Sequence, residues 1–67
     1  MDFEFGDRVR VVKSPRYIHP SIARHISGLE GTISSGDPAL HDYVVHIPGS
    51  PRPGGMYALS DEDLEYA

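Results

Sequence analysis

The segment "GLEGTI", residues 28–33, restricts the folding of this chain more than any other stretch. Two glycines, Gly28 and Gly31, stand immediately before the β-branched pair Thr32 and Ile33. A glycine within or before a strand supplies a positive φ, a bulge, or room for a second backbone to pass. Two of them, three positions apart, predict a sharp bend that leads the chain out of a loop and into a strand of a strongly curved sheet.

Three other segments are predicted to be strands. They are "DRVRVVK" (residues 7–13), "YVVHI" (43–47) and "MYAL" (56–59), and "LEY" (64–66) is expected to add a last short strand. The first alternates polar and apolar residues with the period of two that half-buried strands show. The second is expected to place Tyr43, Val45 and Ile47 on one face, and the third to direct Tyr57 and Leu59 inward. The apolar positions of these segments, together with the strand after the second glycine, are expected to form one core of Val9, Val11, Ile33, Val45, Ile47, Leu59 and Leu64.

The segment between the first two strands, residues 14–27, is expected to be a long ordered loop. Pro15 and Pro20 interrupt regular structure within "SPRYIHPSIARHIS", because proline lacks an N–H and restricts the residue before it. A single helical turn fits "PSIARHI", with Pro20 or Ser21 near its start. Three isoleucines spaced four positions apart are expected to pin the loop to the core: Ile18, Ile22 and Ile26.

The other connections also have recognisable turn chemistry. "SGDPALHD" (residues 35–42) and "PGSPRPGG" (48–55) are interpreted as turns because Pro, Gly and Asp are concentrated in them. Ser60 is expected to cap a short helical turn in "SDED", since its hydroxyl accepts from a backbone N–H and acids suit a first turn. The acidic run at this point is interpreted as a solvated face of Asp61, Glu62, Asp63 and Glu65.

These elements together predict an all-β fold. Sixty-seven residues allow one domain with one small core, so a single domain is expected over residues 1–67. Short strands with many turn signals are typical of a sandwich or a barrel, and closure into a barrel removes exposed edges. We therefore expect a small SH3-like barrel of about five strands, with a long first loop and a short helical turn before the last strand.

The order of the motifs resembles that of the SH3-like electron-transport accessory group. This group includes the barrel of the nitrile hydratase beta subunit, the variable chain of ferredoxin–thioredoxin reductase and a small stromal subunit of photosystem I. Over nearly the whole chain, "FGDRVRVV", the long loop, "GLEGTI", "YVVHI" and "YALSDEDLE" follow one another as in that group. The resemblance implies a non-catalytic accessory or stabilising subunit that docks on a larger protein or enzyme complex, such as a redox or hydratase-type enzyme.

Several features depart from the families that the chain resembles. No segment corresponds to a separate catalytic domain, the metal-binding cysteines of such enzymes are absent, and "PGSPRPGG" lies outside the shared pattern. The chain has no Trp and lacks the acidic–aromatic signature of signalling SH3 domains, so recognition of proline-rich peptides is not expected. "GLEGTI" also resembles the glycine bend of KOW-type barrels in ribosomal and transcription proteins.

The distribution of charge leaves a second functional class open. The net charge is −4 with neutral histidines, which weighs against general nucleic-acid binding. Five of the six cations nevertheless precede residue 25, and "SDEDLEYA" ends the chain with acids, so a polarised molecule is expected. The alternative to a docking subunit is a KOW-like module that binds RNA or DNA through Arg8, Arg10, Lys13, Arg16 and Arg24.

No catalytic or metal-binding motif is recognisable in the chain. It has no cysteine, which excludes disulfides and thiolate metal sites, and neither G-x-S-x-G nor a phosphate-binding loop is present. We expect no enzymatic activity, no cofactor and no metal site. The lack of a long apolar run and of a secretory signal predicts no membrane contact and a cytoplasmic location. No metal motif matches the spacing of the four histidines His19, His25, His41 and His46.

The long loop is the predicted partner-binding surface. "PRYIHP" offers an arginine, a tyrosine and a histidine between two prolines. Tyr and Arg are enriched at interface hot spots, and prolines reduce the entropy lost when a loop is ordered by binding. The alternative interpretation is that Tyr17 and Ile18 close one end of the barrel. The predicted partner-binding residues are Arg16, Tyr17, His19, Arg24 and His25.

Overall fold

The computed structural model describes residues 2–67, in which five strands form one antiparallel sheet. The order across the sheet is β4-β3-β2-β1-β5, so the first strand lies between the second and the last. Within the described residues the two edge strands, β4 and β5, do not pair with each other, and the sheet is therefore open. The all-β prediction is confirmed, and the strands are β1 (Arg8–Val11), β2 (Glu30–Asp37), β3 (Asp42–His46), β4 (Met56–Ser60) and β5 (Leu64–Tyr66).

The connection between β1 and β2 contains a helix, α1 (Pro20–Ile26). The interpretation of residues 14–27 as a loop with a single turn is corrected, because helical structure covers seven residues. Proline suits the start of a helix, where its missing N–H is not needed, and His19 caps this helix by accepting from the backbone N–H of Ser21 at 3.1 Å. Among residues 2–67 no helix has the length and apolarity that a membrane crossing requires.

Strand β2 extends further than its sequence suggests. Its first half pairs with β1 and its second half with β3, and the register shifts between Ile33 and Ser35. Such a bulge bends a strand and allows it to belong to two differently oriented parts of a sheet. The segment "SGD", interpreted as a turn, is therefore strand, and the turn that follows is a 3₁₀ helix (Pro38–Leu40).

The two glycines of "GLEGTI" have different roles, since Gly28 precedes β2 and Gly31 lies within it. Gly28 has a φ of +76°, a conformation that L side chains rarely adopt. Gly31 is buried in β2, where an added Cβ would lie 2.6 Å from the backbone oxygen of His46. The predicted bend is confirmed at Gly28, whereas Gly31 does not bend the chain and instead permits the close approach of β3.

One hydrophobic core lies against the sheet. All seven predicted core residues are buried, and Phe3, Ile26, Tyr43 and Tyr57 are buried with them. Ile18 and Ile22 pack against this core while partly exposed, so the isoleucines pin the first connection as expected. Between β4 and β5 lies a second 3₁₀ helix (Asp61–Asp63), which the hydroxyl of Ser60 caps as predicted.

Candidate functional site

A buried carboxylate anchors the predicted partner-binding loop. Asp63 is 1% exposed, and its two carboxylate oxygens accept from the backbone N–H groups of Arg16, at 2.8 Å, and Tyr17, at 3.0 Å. Its own backbone oxygen accepts from Val12 at 3.0 Å. These hydrogen bonds fix the loop to the second 3₁₀ helix, because a buried carboxylate must keep its acceptors satisfied.

The interpretation of the acidic run as a solvated face is wrong for two of its four members. Asp61 and Asp63 are buried, whereas Glu62 and Glu65 are exposed. The two buried acids point inward. Asp63 accepts hydrogen bonds from backbone N–H groups, and Oδ2 of Asp61 lies 2.9 Å from Nδ1 of His41. Part of the acidic segment is therefore structural.

Tyr17 lies outside the core. Its side chain is 58% exposed, and a hydrogen bond to Glu62 raises the pKa of its hydroxyl. The neighbouring Ile18 is partly buried against the core. Ile18 therefore packs against the core, whereas Tyr17 is exposed to solvent.

The remaining predicted site residues belong to α1. The ring of His19 forms its N-terminal cap, and Arg24 and His25 are exposed in its last turn, where cations suit the helix dipole. Within the described residues no hydrogen bond or ion pair joins these side chains to those of Arg16 and Tyr17. The structure thus divides the predicted site into a part held by Asp63 and a part on the helix.

A groove lies between α1 and the connection of residues 48–55. Its volume is about 330 Å³. The guanidinium carbon of Arg52 lies 4.2 Å from the centre of the Tyr57 ring, so the cation rests on the aromatic face. The same guanidinium donates to the backbone oxygen of Met56 at 2.8 Å. The groove is lined by Ile22, His25, Pro51, Arg52 and Tyr57.

Sequence reasoning identified only His25 among the residues of this groove as a site residue. The sequence predicts "PGSPRPGG" to be a connection and Tyr57 to face inward from its strand, and it gives neither a binding role. One signal in the sequence does mark the segment, because Arg52 is the only cation after residue 24. Its position opposite α1 depends on the pairing of β3 with β4, which brings the ends of this connection together.

The cations of the chain fall into two groups in space. On the sheet, Glu30 accepts from Arg8 at 3.1 Å and from Arg10 at 3.2 Å, and Glu65 lies 3.7 Å from Arg10. The pairing of β1 with β2 and with β5 thus places acids beside bases, and the charge separation expected from the sequence is reduced there. Within residues 2–67, no carboxylate lies within 4.0 Å of the side chains of Lys13, Arg16, Arg24 and Arg52.

His41 and Asp61 form a separate ion pair. His41 has a φ of 57° after the first 3₁₀ helix, and its Nδ1 lies 2.9 Å from Oδ2 of Asp61. This contact raises the pKa of His41 and lowers the pKa of Asp61. The backbone N–H of Asp61 also donates to the His41 oxygen at 2.9 Å, so the pair joins the ends of β3 and β4.

The part of the chain that the structure describes contains no group of three or more His, Asp or Glu side chains arranged to hold a metal ion. A second cavity, of about 300 Å³, lies beside β3 and is lined by Gly36, Asp37, Asp42, Tyr43, Val44 and Ala58.

Comparison of the chain with protein-family models, with curated proteins and with solved structures finds no significant match.

Proposed function

We propose that this chain is a non-catalytic SH3-like module that docks on a larger protein or enzyme complex as an accessory or stabilising subunit. The SH3-like assignment is supported by the strand order, with β1 between β2 and β5. It is also supported by the long first connection, by the bulge in β2, and by the 3₁₀ helix before β5. A partly open barrel is consistent with these elements.

The groove between α1 and residues 48–55 is the observation that carries the docking proposal. Ile22 and Pro51 are apolar, Arg52 rests on Tyr57, and His25 adds an imidazole. Tyrosine and arginine in a concave site are typical of binding hot spots. We infer that the groove takes an apolar side chain of the partner while its basic residues face carboxylates.

The cations without carboxylate neighbours indicate the charge of the partner. Arg24 and Arg52 belong to α1 and to the groove, and Arg16 belongs to the loop that Asp63 holds. Complementary charge orients partners and selects between them. An acidic protein surface therefore fits this side of the molecule.

A nucleic-acid module is the less favoured alternative. Two of its five proposed cations, Arg8 and Arg10, are engaged by Glu30 on the sheet. The net charge of −4 adds to this objection, since phosphate binding requires concentrated positive charge.

A comparison of two histidine variants tests the docking site. His25→Glu introduces an acid into the groove, and His46→Glu introduces the same charge at an exposed position of β3 outside it. Immobilised parent protein and each variant are incubated with lysate of the source cells, and retained proteins are quantified by mass spectrometry. We expect proteins retained by the parent and by His46→Glu to be lost with His25→Glu. Equal retention by all three proteins contradicts the groove assignment.

Two further measurements separate the functional classes. Tyr17→Ala is expected to weaken a retained complex by about 1–2 kcal/mol if Tyr17 is an interface anchor, with thermal melting measured in parallel.

A gel-shift titration with RNA and duplex DNA at two salt concentrations tests the nucleic-acid alternative. One result contradicts the docking proposal: nucleic-acid binding tighter than about 10⁻⁶ M that weakens with added salt and is abolished by the double substitution Arg8→Glu and Arg10→Glu. Contacts to phosphates give an affinity of this kind, which falls as the salt concentration rises.

A further inference from the structure

Strand β4 has hydrogen-bonding groups directed away from the sheet. In an antiparallel ladder, alternate residues direct their N–H and C=O groups toward the neighbouring strand. Ile47 N–H donates to the Gly55 oxygen at 2.7 Å, and Asp61 N–H donates to the His41 oxygen at 2.9 Å. Odd-numbered residues therefore face β3, and the even-numbered residues of β4 face outward: Met56, Ala58 and Ser60.

This outer edge has little of the protection that proteins usually give to edge strands. Between Met56 and Ser60 there is no proline and no charged residue, although both commonly block edge-to-edge pairing. Arg52 covers the backbone oxygen of Met56. The backbone oxygen of Ser60 accepts the first bond of the second 3₁₀ helix, because Ser60 is its N-cap. The uncovered groups of this edge are therefore centred on Ala58. Met56 is 39% exposed, Ala58 is exposed, and no strand of the described residues pairs with this side of β4.

We propose that the outer edge of β4 pairs with β4 of a second copy of this chain. The two strands run antiparallel about a two-fold axis at Ala58, and the sheet continues from one copy into the other. Met56 of each copy then lies opposite Ser60 of its partner. A symmetric contact of this kind uses the same surface on both copies and closes at two subunits.

The charges at the two ends of β4 favour a second copy over an unrelated strand. Arg52 lies before β4, and the exposed Glu62 follows it. Antiparallel pairing about Ala58 brings the Arg52 end of each copy to the Glu62 end of the other, so opposite charges meet twice. The hydrogen bond from Arg52 to the backbone oxygen of Met56 can remain in the dimer, because a carbonyl oxygen can accept two hydrogen bonds.

Sedimentation velocity over a range of protein concentrations tests this dimer. Ala58→Glu places two like charges opposite each other at the axis, while the control Ala39→Glu adds the same charge at an exposed position of the first 3₁₀ helix. We expect reversible dimers of the parent protein and of Ala39→Glu. For Ala58→Glu we expect a dissociation constant at least about tenfold higher, since like charges that face each other oppose association.

Cysteine cross-linking tests the axis itself, since the chain has no cysteine of its own. Residues at a hydrogen-bonded pair position lie about 5.5 Å apart between Cα atoms, a distance that a disulfide spans. During air oxidation, Ala58→Cys is expected to form covalent dimers at least about tenfold faster than the control Ala39→Cys at the same concentration.

Three results would overturn the β4 dimer. They are a parent protein that stays monomeric at several hundred micromolar, assemblies larger than a dimer, and equal cross-linking rates for the two cysteine variants. A groove that binds no partner leaves this inference intact, because the dimer uses the strand edge and the groove is tested by His25→Glu.

Discussion

The carboxylate of Asp63 lies 2.8 Å from the backbone nitrogen of Arg16, a residue 47 positions earlier in the chain. A second hydrogen bond, to the backbone nitrogen of Tyr17, uses the other carboxylate oxygen. The acidic segment before the last strand therefore stabilises the conformation of the proposed binding loop. A side chain without access to solvent thus supports the surface that Arg16 and Tyr17 present.

Replacement of Asp63 by Asn tests this anchor. We expect the free energy of unfolding to fall by about 1–3 kcal/mol, because the backbone N–H of Arg16 or Tyr17 loses a carboxylate acceptor and faces an amide NH₂ group. Urea unfolding followed by circular dichroism measures the change. Glu65→Gln is the control, since Glu65 is exposed in the same acidic run and its contact with Arg10 is solvent-exposed. Loss of such a contact usually costs about 0–1 kcal/mol. Equal midpoints for both variants would show that Asp63 is not an anchor.

The two glycines of the bend are expected to respond differently to alanine. Gly28→Ala is expected to lower the free energy of unfolding by about 1–2 kcal/mol, because an L residue is strained in the left-handed conformation. Gly31→Ala should cost about 1–3 kcal/mol through overpacking, since its Cβ would lie 2.6 Å from the His46 oxygen. Gly49→Ala is the control, with no atom within 4 Å of the added Cβ and no positive φ.

Chemical denaturation of these three glycine variants provides the measurement. Gly28→Asn serves as a further comparison, because asparagine tolerates the left-handed region better than alanine. We expect it to recover part of the stability lost in Gly28→Ala. If Gly28→Ala and Gly31→Ala both unfold at the midpoint of Gly49→Ala, the proposed roles of the two glycines are wrong.

Adjacent valines of β3 test the orientation of the strand. Val45 is fully buried, whereas Val44 is partly exposed on the other face. Val45→Asp is expected to unfold the domain, because an unpaired buried charge costs more than a small domain can tolerate. Val44→Asp is expected to remain folded. Circular dichroism and thermal melting distinguish the two outcomes, and comparable melting of both variants would contradict the assigned core.

The pair of His41 and Asp61 predicts a dependence of stability on pH. The pKa of His41 is raised above 6.5 by the hydrogen bond to Asp61, so its stabilising contribution is complete below pH 6.5 and is lost as the pH rises through the folded-state pKa. The pKa of Asp61 is lowered below 3.8 by the same bond, so its contribution is present above pH 3.8 and is lost as the pH falls through the folded-state pKa. The pair contributes fully between these values.

Urea unfolding of the parent protein and of His41→Asn at pH 5 and pH 9 measures this contribution. Asparagine retains the left-handed conformation of position 41 better than most residues do. We expect the stability difference to be larger at pH 5 than at pH 9. The control His46→Asn replaces an exposed histidine that has no carboxylate within 4.0 Å in the described residues. A His41→Asn difference that is the same at both pH values argues against the ion pair.

Local sequence pattern was sufficient to predict which residues of β1 and β3 face the core and that the chain bends before β2. The alternation around Val9 and Val45 is a local property, since successive side chains of a strand point to opposite faces. The conformation at Gly28 is equally local, because a positive φ depends on the absence of a Cβ. These features were therefore predictable without knowledge of any distant residue.

The burial and pairing of the charged side chains depend on the tertiary structure. Asp63 is buried because backbone donors from Arg16 and Tyr17 reach it. Arg10 is paired because β2 and β5 lie on either side of β1. The groove likewise exists because α1 lies opposite residues 48–55. Local pattern cannot predict these outcomes, since the solvation and pairing of a charge depend on groups that are distant in sequence and become neighbours only when the chain folds.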